Sequence, residues 1–214
     1  MRDWPQAQPR PRYRRAIFLD RDGTINVDTH YPHQVELLDF YPRSLRGLAL
    51  MARFPLDIIV VSNQAGIDLG RFTTRDMSQF NAEIRTRVEQ REGRIDAFYY
   101  CPHRERKDLR PGETLCLCSK PAPGMLLEAA RDFEIDLTKS FCIGDKTSDI
   151  VAGQAVKCLT ILVNTGKAGQ EEGSRPVKAT YEASDLVDAA LFIHDRLYDE
   201  AHASRYTSLS LPGR

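Results

Sequence analysis

The sequence predicts a three-layer α/β fold, a Rossmann-like parallel sheet with helices on both faces. Three observations lead there. Short apolar runs recur at Ala16–Leu19, Ile58–Val61, Ser140–Ile143 and Thr160–Val163, with Ile95–Tyr100 a further strand candidate; runs this short and continuous suit strands buried on both faces. The stretches between them carry apolar residues three or four apart, the period of a helix with one buried face. Strands that alternate with helices pair in parallel, since each helix returns the chain across the sheet.

The elements follow in order. Residues 1–15, with Pro5, Pro9, Pro11 and five arginines, read as a flexible arm before the first strand. Arg43–Arg53 predicts a helix through Leu45, Leu48, Ala49 and Ala52. Thr73–Arg91 predicts a longer one, begun by a threonine and ended near Gly93. Pro123–Phe133 reads as a helix with proline in its first turn, and Ser148–Ala155 as another. Gly166–Arg175 is polar and reads as a loop, and 198–214 as a tail. Residues 16–197 then form one domain, in keeping with 214 residues of which 42% are hydrophobic.

Composition excludes some classes. Thirty basic residues balance thirty acidic ones, so overall charge gives no case for nucleic acid or an anionic membrane. No apolar run approaches the roughly 20 residues that span a bilayer. The apolar run after the basic N-terminus stops at Asp20, too short for the core of a signal peptide. A cytoplasmic monomer is expected, with its five cysteines as thiols or metal ligands rather than disulfides.

In an open parallel sheet, ligands bind where strands end and loops begin. The first strand is followed by Asp20-Arg21-Asp22-Gly23-Thr24, the second by Ser62-Asn63-Gln64, and the fourth by Gly144-Asp145-Lys146 with Asp149 further on. Lys120 stands before Pro121, ahead of the helix that leads into the fourth strand. Asp20, Asp22 and Asp145 crowded together would repel unless a cation held them, and hard oxygen donors favour Mg²⁺. One carboxylate could attack phosphorus and another protonate the leaving oxygen and then activate water. Lys120 and Ser62 could bind phosphoryl oxygens. Each element alone is more often a turn or a helix cap; all of them in order at strand ends point to chemistry.

Asp20-Arg-Asp-Gly-Thr24, Ser62-Asn63, Lys120-Pro121 and Gly144-Asp145-Lys-Thr-Ser-Asp149 resemble the four motifs of the haloacid dehalogenase superfamily of phosphatases. The resemblance, over about residues 16 to 167, implies Asp20 as nucleophile, Asp22 as general acid and base, and Ser62 and Lys120 as phosphoryl binders. It implies Asp20, Asp145 and the backbone carbonyl of Asp22 as Mg²⁺ ligands, with Asp149 supporting the site from behind.

Cys101-Pro-His103 and Cys116-Leu-Cys118 supply three thiolates and an imidazole, a set that suits tetrahedral zinc. Twelve residues separate His103 from Cys116, enough for a loop to fold back and close the site. Four protein ligands leave no position for water, so this zinc is expected to be structural and to pin the loop carrying Lys120. Cys142 and Cys158 read as core residues. The intervals between motifs leave no room for a large cap domain.

The zinc pattern, Asp20–Val27, Tyr99–His103 and Pro123–Leu127 resemble one branch of the superfamily, the D-glycero-D-manno-heptose 1,7-bisphosphate phosphatases. These bacterial enzymes remove the 7-phosphate on the way to the ADP-heptose precursor of lipopolysaccharide. The resemblance adds Asn26, Asp28, Tyr31, Asn63, Gln64 and Lys146 as substrate-binding residues. Ser119 is a further substrate-side position, where the branch typically carries an arginine. Histidinol phosphate or another small sugar phosphate is the alternative substrate, and a catalytically silent binding module the alternative of another class.

Overall fold

Period-two alternation in the strands and amphipathic stripes in the helices sort the chain into layers. The computed structural model describes residues 14–104, 112, 114, 116–173 and 175–209, with side chains up to residue 200. Residues 1–13, nearly all of the expected arm, and 210–214 lie outside the described residues, as does most of the span between His103 and Cys116. Six strands form one parallel sheet: β1 (Ala16–Leu19), β2 (Asp57–Asn63), β3 (Ala97–Cys101), β4 (Phe141–Gly144), β5 (Leu159–Val163) and β6 (Tyr181–Ala183). Their order is β3-β2-β1-β4-β5-β6, every neighbouring pair parallel. Ile17 and Leu19 of β1 face one way, into a core with Ile58, Val60, Phe141, Ile143, Ile161 and Val163. Ala16 and Phe18 face the other, with Ile59, Val61, Cys142 and Met125.

Helices α1 (Ser44–Met51), α2 (Thr74–Glu89) and α5 (Leu186–Leu209) pack on the first face, and α3 (Gly124–Phe133) and α4 (Thr147–Ala155) on the second. Local chemistry fixes their starts. The Thr73 side chain accepts from the Asp76 amide at 3.2 Å while the Asp76 carboxylate accepts from the Thr73 amide at 2.8 Å, a reciprocal cap. Asp185 caps α5 by accepting from the amides of Val187 and Asp188.

Several expected boundaries move. β2 runs on through Ser62 and Asn63, so these are strand residues paired with Tyr100 and Cys101 rather than the start of a loop. β3 begins two residues after Ile95 and takes in Cys101. Pro123 is the N-cap of α3, one position before its first turn. Neither β6 nor α5 was expected, and α5 continues to Leu209, past residue 198 where a tail was read. Arg14 and Arg15, the end of the expected arm, are fastened: the Arg14 amide donates to the Glu134 carbonyl at 2.9 Å, and Arg15 reaches the Lys139 carbonyl and Glu200. Among the described residues no helix is long and apolar enough to cross a membrane.

The chain steps from β1 outward to β2 and β3, then crosses back to β4 and steps the other way to β5 and β6. The reversal lies between β1 and β4, where the loops diverge and a crevice opens at the carboxyl ends of the strands.

Candidate active site

Asp20 directly follows β1 and Asp145 directly follows β4, so the switch point itself carries both carboxylates. The Asp20 amide donates to the Ile143 carbonyl at 2.9 Å, which fixes its height above the sheet. Lys120 arrives from the loop before α3 and puts its ammonium 2.6 Å from Asp20 Oδ1, 2.6 Å from Asp149 Oδ1 and 2.7 Å from the Val61 carbonyl. All three side chains are almost wholly buried. Removing the lysine would strand two carboxylates in a low-dielectric setting, a loss of about 3–5 kcal/mol for broken buried pairs.

Asp145 sits in a tight cradle. A β-carbon on Gly23, whose φ is +100°, would fall 2.3 Å from Asp145 Oδ2, and one on Gly166, at φ +57°, 2.2 Å from it. Only glycine admits that approach with that backbone. The Lys167 amide donates to Asp145 Oδ2 at 2.7 Å, while the buried Oδ1 has no hydrogen-bond partner. Oxygens of Asp20, Asp145 and Asp149 lie within 4.8 Å of one another. Asp149 therefore stands in the acidic cluster and directly on Lys120, a more central place than the supporting one expected of it. It also accepts from the Lys146 amide at 3.0 Å at the start of α4.

Burial, reinforced by the neighbouring carboxylates, pushes Asp20 up to about 6 and Asp145 up to about 8. Lys120 and Lys146 are also raised: the carboxylates around them outweigh burial. Three carboxylates against two ammoniums leave the centre short of positive charge, and a bound phosphate would widen that deficit. A buried carboxylate oxygen without a partner, hard oxygen donors and missing positive charge together fit a divalent cation such as Mg²⁺.

Asp22 stands outside the Asp20, Asp145 and Asp149 group, although its charge is felt at Asp20. Its Oδ1 accepts from Arg21 Nε at 2.9 Å and Asn26 Nδ2 at 3.0 Å, and its Oδ2 from Arg21 Nη2 at 2.8 Å and Gln64 Nε2 at 2.9 Å. Burial alone would raise its carboxyl, but these donors hold it below the usual carboxylate range. Gln64 Nε2 also donates to Ser62 Oγ at 2.7 Å. Asn26 and Gln64, expected to meet substrate, are thus buried supports of Asp22. Asn63 clasps the Lys120 backbone, accepting from its amide and donating to its carbonyl, both at 3.0 Å. Ser119 is buried as well. Asp28, Tyr31 and Lys146 remain partly exposed, with Lys146 Nζ 3.4 Å from Asp28 Oδ2. Arg71 lies over the Tyr31 ring at 4.8 Å. Sequence reasoning missed Arg21; its one signal was a cation between two aspartates.

The second cluster forms where β3 ends. The sulfurs of Cys101, Cys116 and Cys118 stand 3.0–3.2 Å apart, with His103 Nδ1 3.3 Å from Cys118 and 3.5 Å from Cys101. These separations exclude a disulfide, whose sulfurs would be about 2.05 Å apart. Three thiols and an imidazole converging on one point fit zinc. Cys142 and Cys158 are not among these four ligands; both are buried in the core beneath α3 and α4.

Known proteins resemble this chain in sequence and fold. Residues 117–189 match the HAD-hydrolase-like family. Fold and chain together define a phosphatase of the HAD hydrolase class. The chain is 36% identical to the D-glycero-beta-D-manno-heptose-1,7-bisphosphate 7-phosphatase of Pasteurella multocida over 178 residues, 82% of this chain and 94% of that one. It is 37% identical to the enzyme of the same name from Escherichia coli K12 over 153 residues, 71% and 80% of the two chains. The crystal structure of D,D-heptose 1,7-bisphosphate phosphatase from B. bronchiseptica, complexed with magnesium and phosphate, superposes with a TM-score of 0.74 at 28% identity, covering 85% of this chain and 99% of that one. The chain belongs to the family that these relatives form.

Proposed function

We propose that this phosphatase removes the 7-phosphate of D-glycero-D-manno-heptose 1,7-bisphosphate, in the supply of ADP-heptose for lipopolysaccharide, and does so through a phosphorylated Asp20. The observation that carries the mechanism is Asp20 at the switch point, held by Lys120 and faced by Asp145 with its unpartnered oxygen. The substrate rests on the likeness to the two relatives above.

Asp20 Oδ attacks phosphorus and forms an acyl phosphate as the bond to the sugar oxygen breaks. With the substrate's phosphate dianion beside it raising its carboxyl, Asp22 takes up a proton and gives it to that oxygen, then takes one from the water whose oxygen attacks the acyl phosphate, releasing phosphate and restoring the Asp20 carboxylate. Lys120 offsets the charge spread over the phosphoryl oxygens, and the Ser62 hydroxyl donates to them. Asp28, Tyr31 and Lys146 are the rim residues that would meet the sugar. Mg²⁺, held by Asp20 and Asp145 with Asp149 beside them and the Asp22 carbonyl in support, would supply charge neutralisation at the phosphoryl group.

Zinc on Cys101, His103, Cys116 and Cys118 would be structural, since four protein donors complete its shell. Cys118 is two residues before Lys120, so the zinc would steady the loop that delivers the lysine. The five free cysteines suit a reducing compartment, and we read the enzyme as a cytoplasmic monomer. Ser119, with no guanidinium to fork a second phosphate, favours another small sugar phosphate as the second reading.

The test is phosphate release with Mg²⁺ across both anomers of heptose 1,7-bisphosphate, histidinol phosphate and common sugar monophosphates. Preference for a heptose bisphosphate supports the reading. A stronger preference elsewhere would move the enzyme to another substrate and keep the mechanism.

A further inference from the structure

Arg21 is 1% exposed, and the reaction above gives it no part. Few charged side chains are buried so completely, and burial of a cation is costly unless its donors are all met. Here each of its three nitrogens finds acceptors, drawn from several elements. Nε and Nη2 grip the two oxygens of Asp22 at 2.9 and 2.8 Å. Nη1 donates to Asn81 Oδ1 of α2 at 2.9 Å, and Nη2 also reaches Gln64 Oε1 and the Pro32 carbonyl, each at 3.1 Å. The guanidinium carbon lies 4.9 Å from the Phe80 ring centroid, also on α2. The fork is thus held by α2, by the end of β2 and by the loop after β1, and its open side holds a single carboxylate.

We propose that Arg21 is a positioning residue, which orients the Asp22 carboxylate for water activation in the second half of the reaction. This rests on the roles proposed above for Asp20 and Asp22. A planar fork that grips both oxygens fixes the position of a carboxylate and also its plane, which a single ammonium cannot do. Asn26 and Gln64 add one donor to each oxygen, so Asp22 is held in its ionised form, the form that can take a proton, and the water reaches it by displacing one of these two amides while the fork keeps its grip. In the second half, water oxygen bonds to phosphorus, its proton passes to Asp22, and the bond from phosphorus to Asp20 breaks. The first half has no such need when the leaving group departs unprotonated, as nitrophenolate does.

That asymmetry gives the experiment. Arg21→Lys keeps the charge and loses the fork. With p-nitrophenyl phosphate and Mg²⁺ in stopped flow, the variant should release a burst of about one nitrophenolate per enzyme and then turn over at least about tenfold more slowly than the unaltered enzyme. Asp22→Asn should show the same shape. Asn81→Ala leaves Arg21 and Asp22 intact but frees Nη1, and should show the burst with a smaller slowing. It decides the matter if Arg21→Lys does not fold. A burst rate and a steady rate that fall together, or kinetics unchanged from the unaltered enzyme, would mean that Arg21 only braces the fold, and would overturn the proposal. Asp20→Asn separates the two readings: undiminished nitrophenolate release from that variant would sink the acyl-phosphate reaction itself.

Discussion

The two metal-like clusters of this molecule are built on opposite plans. The acidic one stands on the ends of β1 and β4 and at the start of α4, in the middle of the sheet, and its like charges are held together by Lys120 and by the glycine cradle. The sulfur one stands at the end of β3, an edge strand, and on a loop before α3. The first crowds charge into the middle of the sheet; the second ties the end of an edge strand to the loop before α3 at the border of the core. The difference teaches that a cation in the first place would serve chemistry, and in the second the shape of a loop.

The largest effect that could break this contrast comes from Asp20→Asn, which should lower turnover about a thousandfold or more while the melting temperature stays close to that of the unaltered protein, because Asp149 still pairs with Lys120. Substantial remaining turnover would remove Asp20 from the role of nucleophile. Brief treatment with a magnesium chelator should abolish activity, returning it should restore activity, and metal analysis should find the zinc unmoved, since thiolates hold zinc far more tightly than carboxylates hold magnesium. Loss of both metals together would erase the distinction. Cys116→Ser should empty the sulfur site and lower the melting temperature by of order 5 °C; unchanged zinc content would refute the four-ligand reading. The smallest effect is expected at Ser119→Arg, with kcat/KM for a bisphosphate rising about threefold to tenfold over that for a monophosphate. No change would mean that a rim residue already holds the second anion.

Much of this was legible because buried parallel strands are written as plain apolar runs. β1 matches its run residue for residue, and β2, β4 and β5 lie within two residues of theirs. Ile95 misled the reading of β3: it is buried, but beneath the strand, and Cys101 fills the last strand position instead. β6 escaped because it is three residues long at the sheet edge, with one exposed residue in its middle. α5 had no expectation at all, and its last turns fall where a tail was read because residues past 197 carry little apolar pattern. At the site, Asp20 and Asp145 stand together because strand ends position them, and Lys120 joins Asp20 from the loop before α3. Spacing could not say which amides look inward: Asn26, Asn63 and Gln64, read as substrate residues, are bonded here to Asp22, Lys120 and Ser62. Arg21 was passed over because nothing in its neighbours along the chain says that α2 closes over it.

Arg15 joins the approach to β1 with Glu200 near the far end of α5 and with the Lys139 carbonyl just below β4. All three lie at the foot of the sheet, while the crevice opens at its head. Residues 15 and 200 could therefore be joined by a short linker, with the segments outside them removed and the chain cut elsewhere, giving a circular permutant whose reacting groups are untouched. A fusion partner placed there would likewise leave the crevice open to substrate.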